Sequence, residues 1–597
     1  MGSTKSFVGP PVRFVRQCRI PALSCAFAVL VCELISRPYA SMGICDDGPY
    51  IAMVQKLAAT GHVTYNGWAT AMLGWQLYLG AAFLKLFSSP FISVFTAVRM
   101  STLLVAMLTA FLLQRVLVRA NITERNATIG TLAIVLSPLY LILSVTFMTD
   151  IQGMFAVVLC LYGCLRALQA TTSQSTITWL CVAVATNVIC GSSRQIAWLG
   201  VLVMVPSTLW LLKRNRAVLL GGATALLLGV LCIAACVHWF LQQPYTIHEP
   251  LFVSSYPLGV IFGDYFRTFL DAVFLLLPFT VLFIPAVRRS NFKSVAVTAL
   301  FLLICMLMAV HSGHIRFDSL LEPTLEGQWV NAHGIFDATT LHGVAPVFLN
   351  TAERAVLTIA SLAAVIGMIT ALLAPPPIAA AKRAPETVKW QQLCVLLVPY
   401  TIFYLLLLIP RATTAPGILD RYLLGFLFIP MLMLVRYSQE NLHPRLPILT
   451  IALVGLMAIF GITITHNSFA LYRARVTLAA ELRTNGIPDT AVDNGWEYNM
   501  EVELQHSAYL NDPRITNPAH TYIAIPNNDQ CPGFGRDRTP HVDPTYAIAF
   551  QQNACFGPAP FAPVSYSRWL SPNQGTLYVV WYKPPSLRAS SRSFKNF

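Results

Sequence analysis

Apolar runs of about twenty residues, separated by short clusters of Lys and Arg, recur along most of this sequence, and they set the solvent in which the chain can fold. A hydrocarbon layer about 30 Å thick needs roughly twenty apolar residues of helix to cross it. Continuous runs such as Ala217 to Phe240 lack the ten-residue alternation of a membrane barrel, so the spanning elements read as helices. With 56% hydrophobic and 11% charged residues among 597, the chain cannot hide this surface in a soluble core.

The runs give about 13 spans, at 20–36, 91–114, 127–147, 151–168, 176–191, 195–212, 217–240, 265–287, 293–311, 353–373, 390–410, 418–436 and 446–465. An odd count puts the termini on opposite sides. The net charge of +14 is distributed as orientation signals rather than as a nucleic-acid surface. Every second loop is basic, carrying Arg115, Arg119 and Arg125, then Lys213, Arg214 and Arg216, then Arg288, Arg289 and Lys293, then Lys382, Arg383 and Lys389, then Arg436 and Arg445. These loops read as cytoplasmic. The first run follows Lys5, Arg13, Arg16 and Arg19 without a convincing cleavage site, so it reads as a retained helix with a cytoplasmic N-terminus.

Three long segments fall on the opposite side, 37–90, 312–352 and 466–597, and long loops in compact proteins are usually functional. The expected organisation is a transmembrane domain over 1–465 and an extracytoplasmic α/β domain over 466–597. In the first loop, Asp46 to Thr60 predicts a helix with Tyr50, Met53, Val54 and Leu57 on one face, closed by Gly61. Trp68 to Phe87 predicts a second helix, interfacial or spanning, with Trp75, Tyr78 and Lys85 suited to an interface. Strand-prone pieces at Thr521 to Ile525 and Thr576 to Tyr582 support the C-terminal assignment. The proline-rich Ala374 to Pro385 reads as a cytoplasmic linker. The sequons at Asn121 and Asn126 fall in a loop read as cytoplasmic, so no glycan is expected there. Most of the fourteen cysteines lie in apolar runs, and Cys531 and Cys555 are the pair placed to form a disulfide.

Chemistry concentrates first in Cys45-Asp46-Asp47-Gly48-Pro49-Tyr50, where two adjacent carboxylates follow a span and begin a helix. Helix capping is one reading, and a general base or metal-binding pair is the other. The pattern Asp46-Asp47-Gly48-Pro49-Tyr50, with Ala52-Met53, Leu57 and Gly61-His62, resembles the acidic motif that opens the first outer loop of GT-C glycosyltransferases. It is most similar to the protein mannosyltransferase and aminoarabinose transferase branch, including the Rgt-type galacturonosyltransferases. Leu77 to Phe87, Thr149-Asp150 at a turn between spans, and Asp420-Arg421-Tyr422-Leu423 heading a late span fit the same pattern, and the likeness extends over the chain.

The resemblance implies an all-α polytopic bundle that transfers a sugar from a polyprenyl-phosphate donor to a lipid, glycan or protein acceptor. The reaction would invert the anomeric centre on the periplasmic face of a bacterial inner membrane. It implies that Asp46 is the catalytic base, with Asp47 beside it where many relatives have Glu. Asp150 would line the same cavity, or cap the helix starting at Ile151. A lipid-phosphate donor needs cations at the interface; Arg194 and Arg421 stand at outer span ends where topology does not require charge, with Arg267, Arg316, Arg354 and Arg411 as weaker options.

His311, His314, Asp318, Glu322, Glu326, His333, Asp337 and His342 crowd one loop, but their spacing matches no compact ligand motif, and a cover over the site is the preferred reading. A divalent metal ion therefore stays open as a cofactor. Asp271, inside a predicted span, reads as a cavity residue or a misplaced boundary. The sequence holds no phosphate-binding Walker loop, haem-attachment motif or dinucleotide fingerprint. The rival reading is a transporter or flippase of a lipid-linked sugar; against it stand the missing half-to-half repeat and the concentration of titratable groups at one face.

Overall fold

The computed structural model describes residues 19–583 apart from 69–71, 248–254, 289, 314–320, 323, 326, 328, 336–339, 374–387, 414–416, 526–530 and 532. The linker at 374–385, together with His314, Arg316, Asp318, Glu326 and Asp337, lies outside the described residues. Among the described residues, ten helices are long and apolar enough to cross a membrane, and two bent pairs raise the number to 12 if each pair is one span. Every apolar run read from the sequence falls on one of these helices, on a bent pair, or on the 17-residue helix α1 (Ile20–Ser36). Leu220, Leu227, Leu228 and Leu231 stand exposed along the span Arg216–Leu241, the surface expected of a helix whose solvent is lipid.

After α1 come α2 (Asp47–Thr60), α3 (Gly74–Phe87) and the span α4 (Val94–Arg119). Next are the bent pair α5 (Glu124–Val135) and α6 (Pro138–Ser144), and the spans α7 (Asp150–Leu168) and α8 (Ser173–Gly191). The 68° bend between α5 and α6 has a local cause. Pro138 offers no N–H to the preceding turn and disfavours a helical Ser137, which instead caps α6 by accepting from the Tyr140 amide at 3.3 Å.

α2 follows its sequence pattern, burying Tyr50, Met53, Val54 and Leu57, and it ends where Gly61 at φ 76° returns its N–H to Leu57 O. α3 has 14 residues, so at about 1.5 Å per residue it is too short for a layer of about 30 Å. It lies against α2, α4 and α8 instead. The approach depends on Gly80, where a Cβ would sit 2.9 Å from Phe147 Cζ and 3.1 Å from Val54 Cγ2. Gln76, fully buried in α3, donates to Phe147 O at 3.0 Å and fixes α3 to the turn ahead of α7.

The final span belongs to a 37-residue helix, Ile448–Thr484, which continues unbroken through position 465. Beyond it lie the helix Gly495–His506 and a four-stranded sheet of β3 (Val492–Asp493), β4 (Tyr546–Ala549), β5 (Val564–Tyr566) and β6 (Gly575–Trp581), in the order β3-β4-β6-β5. β3 pairs with β4 in parallel; the other pairings are antiparallel. Arg475 on the long helix and Glu497 form a fully buried pair at 2.9 Å, and Tyr472 adds a hydrogen bond to Glu497 at 2.6 Å. Such a pair, closed by a third group, holds the C-terminal unit rigidly to the bundle. The helix Gly495–His506 in turn packs on α2, so α2 is held from both sides.

Candidate active site

The two carboxylates that adjoin in sequence part company in space. Cys45, just before them, adopts φ 53°, a left-handed conformation that costs a non-glycine residue about 1 kcal/mol or more. The turn is closed reciprocally: the Asp47 amide donates to Ile44 O at 3.2 Å, and the Ile44 amide donates to Asp47 Oδ1 at 2.6 Å. Gly43 and Gly48 cross so closely that a Cβ on Gly43 would lie 2.9 Å from Gly48 Cα.

Asp47 points inward and is fully buried. Its Oδ2 meets Arg99 Nε of α4 at 2.8 Å, its Oδ1 meets Arg99 Nη2 at 3.1 Å, and the Phe147 amide adds a bond to Oδ2 at 3.2 Å. Arg99 also donates to Ala40 O at 3.2 Å and Met42 O at 2.8 Å. Both oxygens of Asp47 are thereby committed, and the pair staples the turn to α4. In the sequence Arg99 is a single Arg inside an apolar run, the pattern of a snorkelling residue.

Asp46 takes the other direction. It occupies the N-cap position of α2 but its side chain makes no capping bond, so the capping reading does not describe it. Its Oδ2 lies 3.3 Å from Arg421 Nη2, with 14% of the side chain exposed. Burial raises its carboxyl above the ordinary aspartate range, against the opposing pull of Arg421 and of hydrogen bonds from Cys45 and Trp68.

Arg421 reaches further, placing Nη1 3.6 Å from Asp150 Oδ2, while Arg194 Nη1 lies 2.8 Å from Asp150 Oδ1. Carboxylates and guanidiniums therefore alternate in a chain Asp46, Arg421, Asp150, Arg194. Tyr422 lies beneath both guanidiniums, its ring centre 5.0 Å from Arg194 Cζ and 5.5 Å from Arg421 Cζ. Thr149 accepts from Arg194 Nη1 at 3.0 Å and makes no cap bond of its own, so Thr149 and Asp150 at the start of α7 serve Arg194. The four charged groups come from three separate parts of the bundle and from the loop before α2.

Gly153 makes room for this arrangement. A Cβ there would come within 2.6 Å of Arg194 Cδ and 3.2 Å of its Cβ. Gly153→Ala is expected to push Arg194 off Asp150 while leaving α7 intact. Overpacking of this kind typically costs about 1–3 kcal/mol, so the variant should show a lowered thermal midpoint in detergent. An unchanged midpoint would show that Arg194 gives way without loss.

The turn bearing Arg421 is itself fixed. Asp420 accepts from the Trp329 amide at 3.0 Å and the Val330 amide at 2.8 Å, which docks the hairpin of β1 (Val330–Asn331) and β2 (Gly334–Ile335) beside the site. Asp264 accepts from the Ile418 amide and from Arg267, both at 2.5 Å, and Arg267 also donates to Ile418 O. Arg267 is thus committed to the turn, as Arg354 is to Glu322 at 3.0 Å. Arg411 lies in the last turn of the helix Trp390–Ala412. Asp271 accepts the Leu325 amide at 3.1 Å, so its place inside a helix serves the same loop.

The C-terminal unit closes the remaining side. Trp68 packs edge-on against Trp496 at 4.9 Å, and Arg538 stacks over Trp68 at 4.8 Å while pairing with Asp512 at 3.0 Å. Nothing in the local sequence announced this contact, which joins positions more than 400 residues apart. Among the described residues, one group of three metal-ligand types converges, His342 with Cys531 and Cys555. Its two sulfurs are bonded to each other, with Cα atoms 5.4 Å apart.

The fold and site together define a multi-pass membrane protein with a largely buried chain of alternating charges at one end of its helices. The chain is similar to ArnT from Cupriavidus metallidurans in the apo state, at 13% identity and a TM-score of 0.40 over 80% of this chain and 83% of that one. It is likewise similar to the same protein bound to undecaprenyl phosphate, at 13% identity and a TM-score of 0.38 over 95% and 99%. A third likeness is to the Saccharomyces cerevisiae protein O-mannosyltransferase Pmt1-Pmt2 complex bound to its sugar donor, at 15% identity and a TM-score of 0.30 over 38% and 34%. No protein-family model and no curated protein matches the chain.

Proposed function

We propose that the chain is an inverting membrane glycosyltransferase that moves a sugar from a polyprenyl-phosphate donor to an acceptor hydroxyl, with Asp46 as general base and Arg421 and Arg194 as the donor-phosphate cradle. The observation that carries this reading is the alternating chain Asp46, Arg421, Asp150, Arg194. Guanidinium forks suit phosphate oxygens, and these two are held at the end of apolar helices, where the head of a lipid phosphate would arrive. The positive-inside pattern supports placing that end on the outer face, and the sequence motif supports a bacterial inner membrane.

In the transfer, the acceptor oxygen gives its proton to Asp46 and attacks the anomeric carbon. The bond from that carbon to the phosphate oxygen breaks, and its electron pair leaves with the polyprenyl phosphate. Arg421 and Arg194 stabilise the charge that develops on the leaving oxygen. Asp47 supports the base through Arg99 and the turn it closes, without touching substrate.

Charge balance links donor binding to the base. Two carboxylates and two guanidiniums sum to zero, so an anionic phosphodiester leaves the site negative. A negative neighbour favours the protonated form of Asp46 and raises its proton affinity further. Activity should therefore rise with pH along an acid limb lying above about 3.9, the ordinary aspartate value. The limb of kcat, which reports the donor-bound enzyme, should lie at higher pH than the limb of kcat/KM. Arg421→Met should move the kcat/KM limb upward again, because it removes the cation that opposes burial at Asp46. Profiles measured with purified protein check this; coincident limbs, or a downward shift in the variant, would exclude Asp46 as the titrating base.

The defining experiment is transfer of radiolabelled sugar from a panel of polyprenyl-phosphate donors by purified protein. Donor-dependent product in which the label is covalently bound to acceptor supports the proposal. Movement of intact donor across proteoliposomes without such product would place the chain among transporters.

A further inference from the structure

His342 lies where the hairpin-bearing loop meets the C-terminal sheet. It forms a parallel bridge with Ala549, and its carbonyl accepts the Phe550 amide at 2.9 Å. Its Nε2 is 2.8 Å from Asp493 Oδ2, and its Nδ1 is 3.4 Å from Cys531 Sγ. Asp493 is fixed in turn by Asn499 at 2.7 Å and the Gly495 amide at 3.0 Å. Burial alone would push the Asp493 carboxyl up, but these bonds and His342 hold it below the ordinary range, so it remains an anion against the imidazole. Carboxylate, imidazole and sulfur thus stand in line.

The two cysteines differ in exposure. Cys531 is buried, 8% exposed and turned toward His342. Cys555 is half-buried in a turn that follows the exposed residues Gln551, Gln552 and Asn553. Thiol–disulfide exchange needs an approachable sulfur to attack and a second sulfur whose departing thiolate is stabilised. A disulfide that only braces the fold needs neither, and here a buried carboxylate also holds a histidine against one of the two sulfurs.

We propose that Cys531–Cys555 is an exchange site for low-molecular-weight thiols, in which Cys555 is attacked and His342, oriented by Asp493, stabilises Cys531 as the leaving thiolate. An incoming thiolate bonds to Cys555 Sγ, the Cys531–Cys555 bond breaks, and its electron pair goes to Cys531 Sγ, 3.4 Å from His342 Nδ1. A second thiol then attacks the mixed disulfide. Two thiols are oxidised to one disulfide, and the protein pair is reduced to two thiols. The released proton count matches the two taken up by the cysteines.

The test treats the folded full-length protein in detergent with glutathione, quenches with iodoacetamide, and maps adducts by peptide mass spectrometry. The expected result is glutathione on Cys555 and alkylation on Cys531. Glutathione on Cys531, or no adduct while the protein stays folded, would overturn the proposal. Asp493→Asn and His342→Gln should each slow adduct formation about a hundredfold or more, the low end for losing a positioned proton-transfer group. Unchanged or faster exchange in both would show that these residues merely shield a bracing disulfide, and would equally overturn it.

Discussion

Asp46→Asn is expected to fold, to bind a polyprenyl-phosphate donor, and to lose about 10²- to 10⁴-fold in kcat, the usual contribution of a positioned general base. Retained folding is expected because Asp46 makes no cap bond and keeps part of its side chain exposed, so the amide leaves α2 and its buried face intact. Retained donor affinity is expected because Arg421 still has Asp150 at 3.6 Å and Arg194 still has Asp150 at 2.8 Å. Losing the Asp46 charge even frees Arg421 for phosphate, so donor affinity should hold or tighten slightly. Single-turnover transfer measured beside donor titration separates the two quantities. A variant that transfers like the wild type would remove Asp46 from the chemistry; one that loses donor binding and transfer together would reassign it to the donor site.

The bundle was legible because membrane burial imposes a length and a composition that a single sequence displays, and each apolar run did become a helix. Asp46, Asp150, Arg194 and Arg421 were legible for a related reason: charge at a span end is costly unless it is used, so these residues stand out from their surroundings. Their mutual contacts were not legible, since pairing between positions 46, 150, 194 and 421 depends on how helices far apart in sequence stack. Arg99 hid in an apolar run, although a buried Asp47 had to have a cation somewhere. The bend at Ser137-Pro138 could have been read from the proline, yet the continuous apolar run masked it. The place of Arg538 over Trp68 left no local trace at all, because it is a tertiary contact made from a three-residue 3-10 turn.

The neighbouring carboxylate should respond in the opposite manner. Asp47→Ala removes the partner of Arg99 and leaves a guanidinium, 2% exposed, without its charge partner, a change that typically costs about 3–5 kcal/mol. The Arg99→Met variant is expected to cost a similar amount, because it strands the Asp47 carboxylate with only the Ile44 and Phe147 amides. Both should give little monodisperse protein and a lowered thermal midpoint in detergent. The double variant should recover much of the loss, since removing both charges also removes the desolvation cost that each imposes alone. Transfer per folded molecule should then fall far less than in Asp46→Asn, because the turn loses rigidity but the base and the cradle remain. If Asp47→Ala instead folds with the wild-type midpoint and transfers nothing, the adjacent pair acts as one chemical unit, and the division of roles between Asp46 and Asp47 fails.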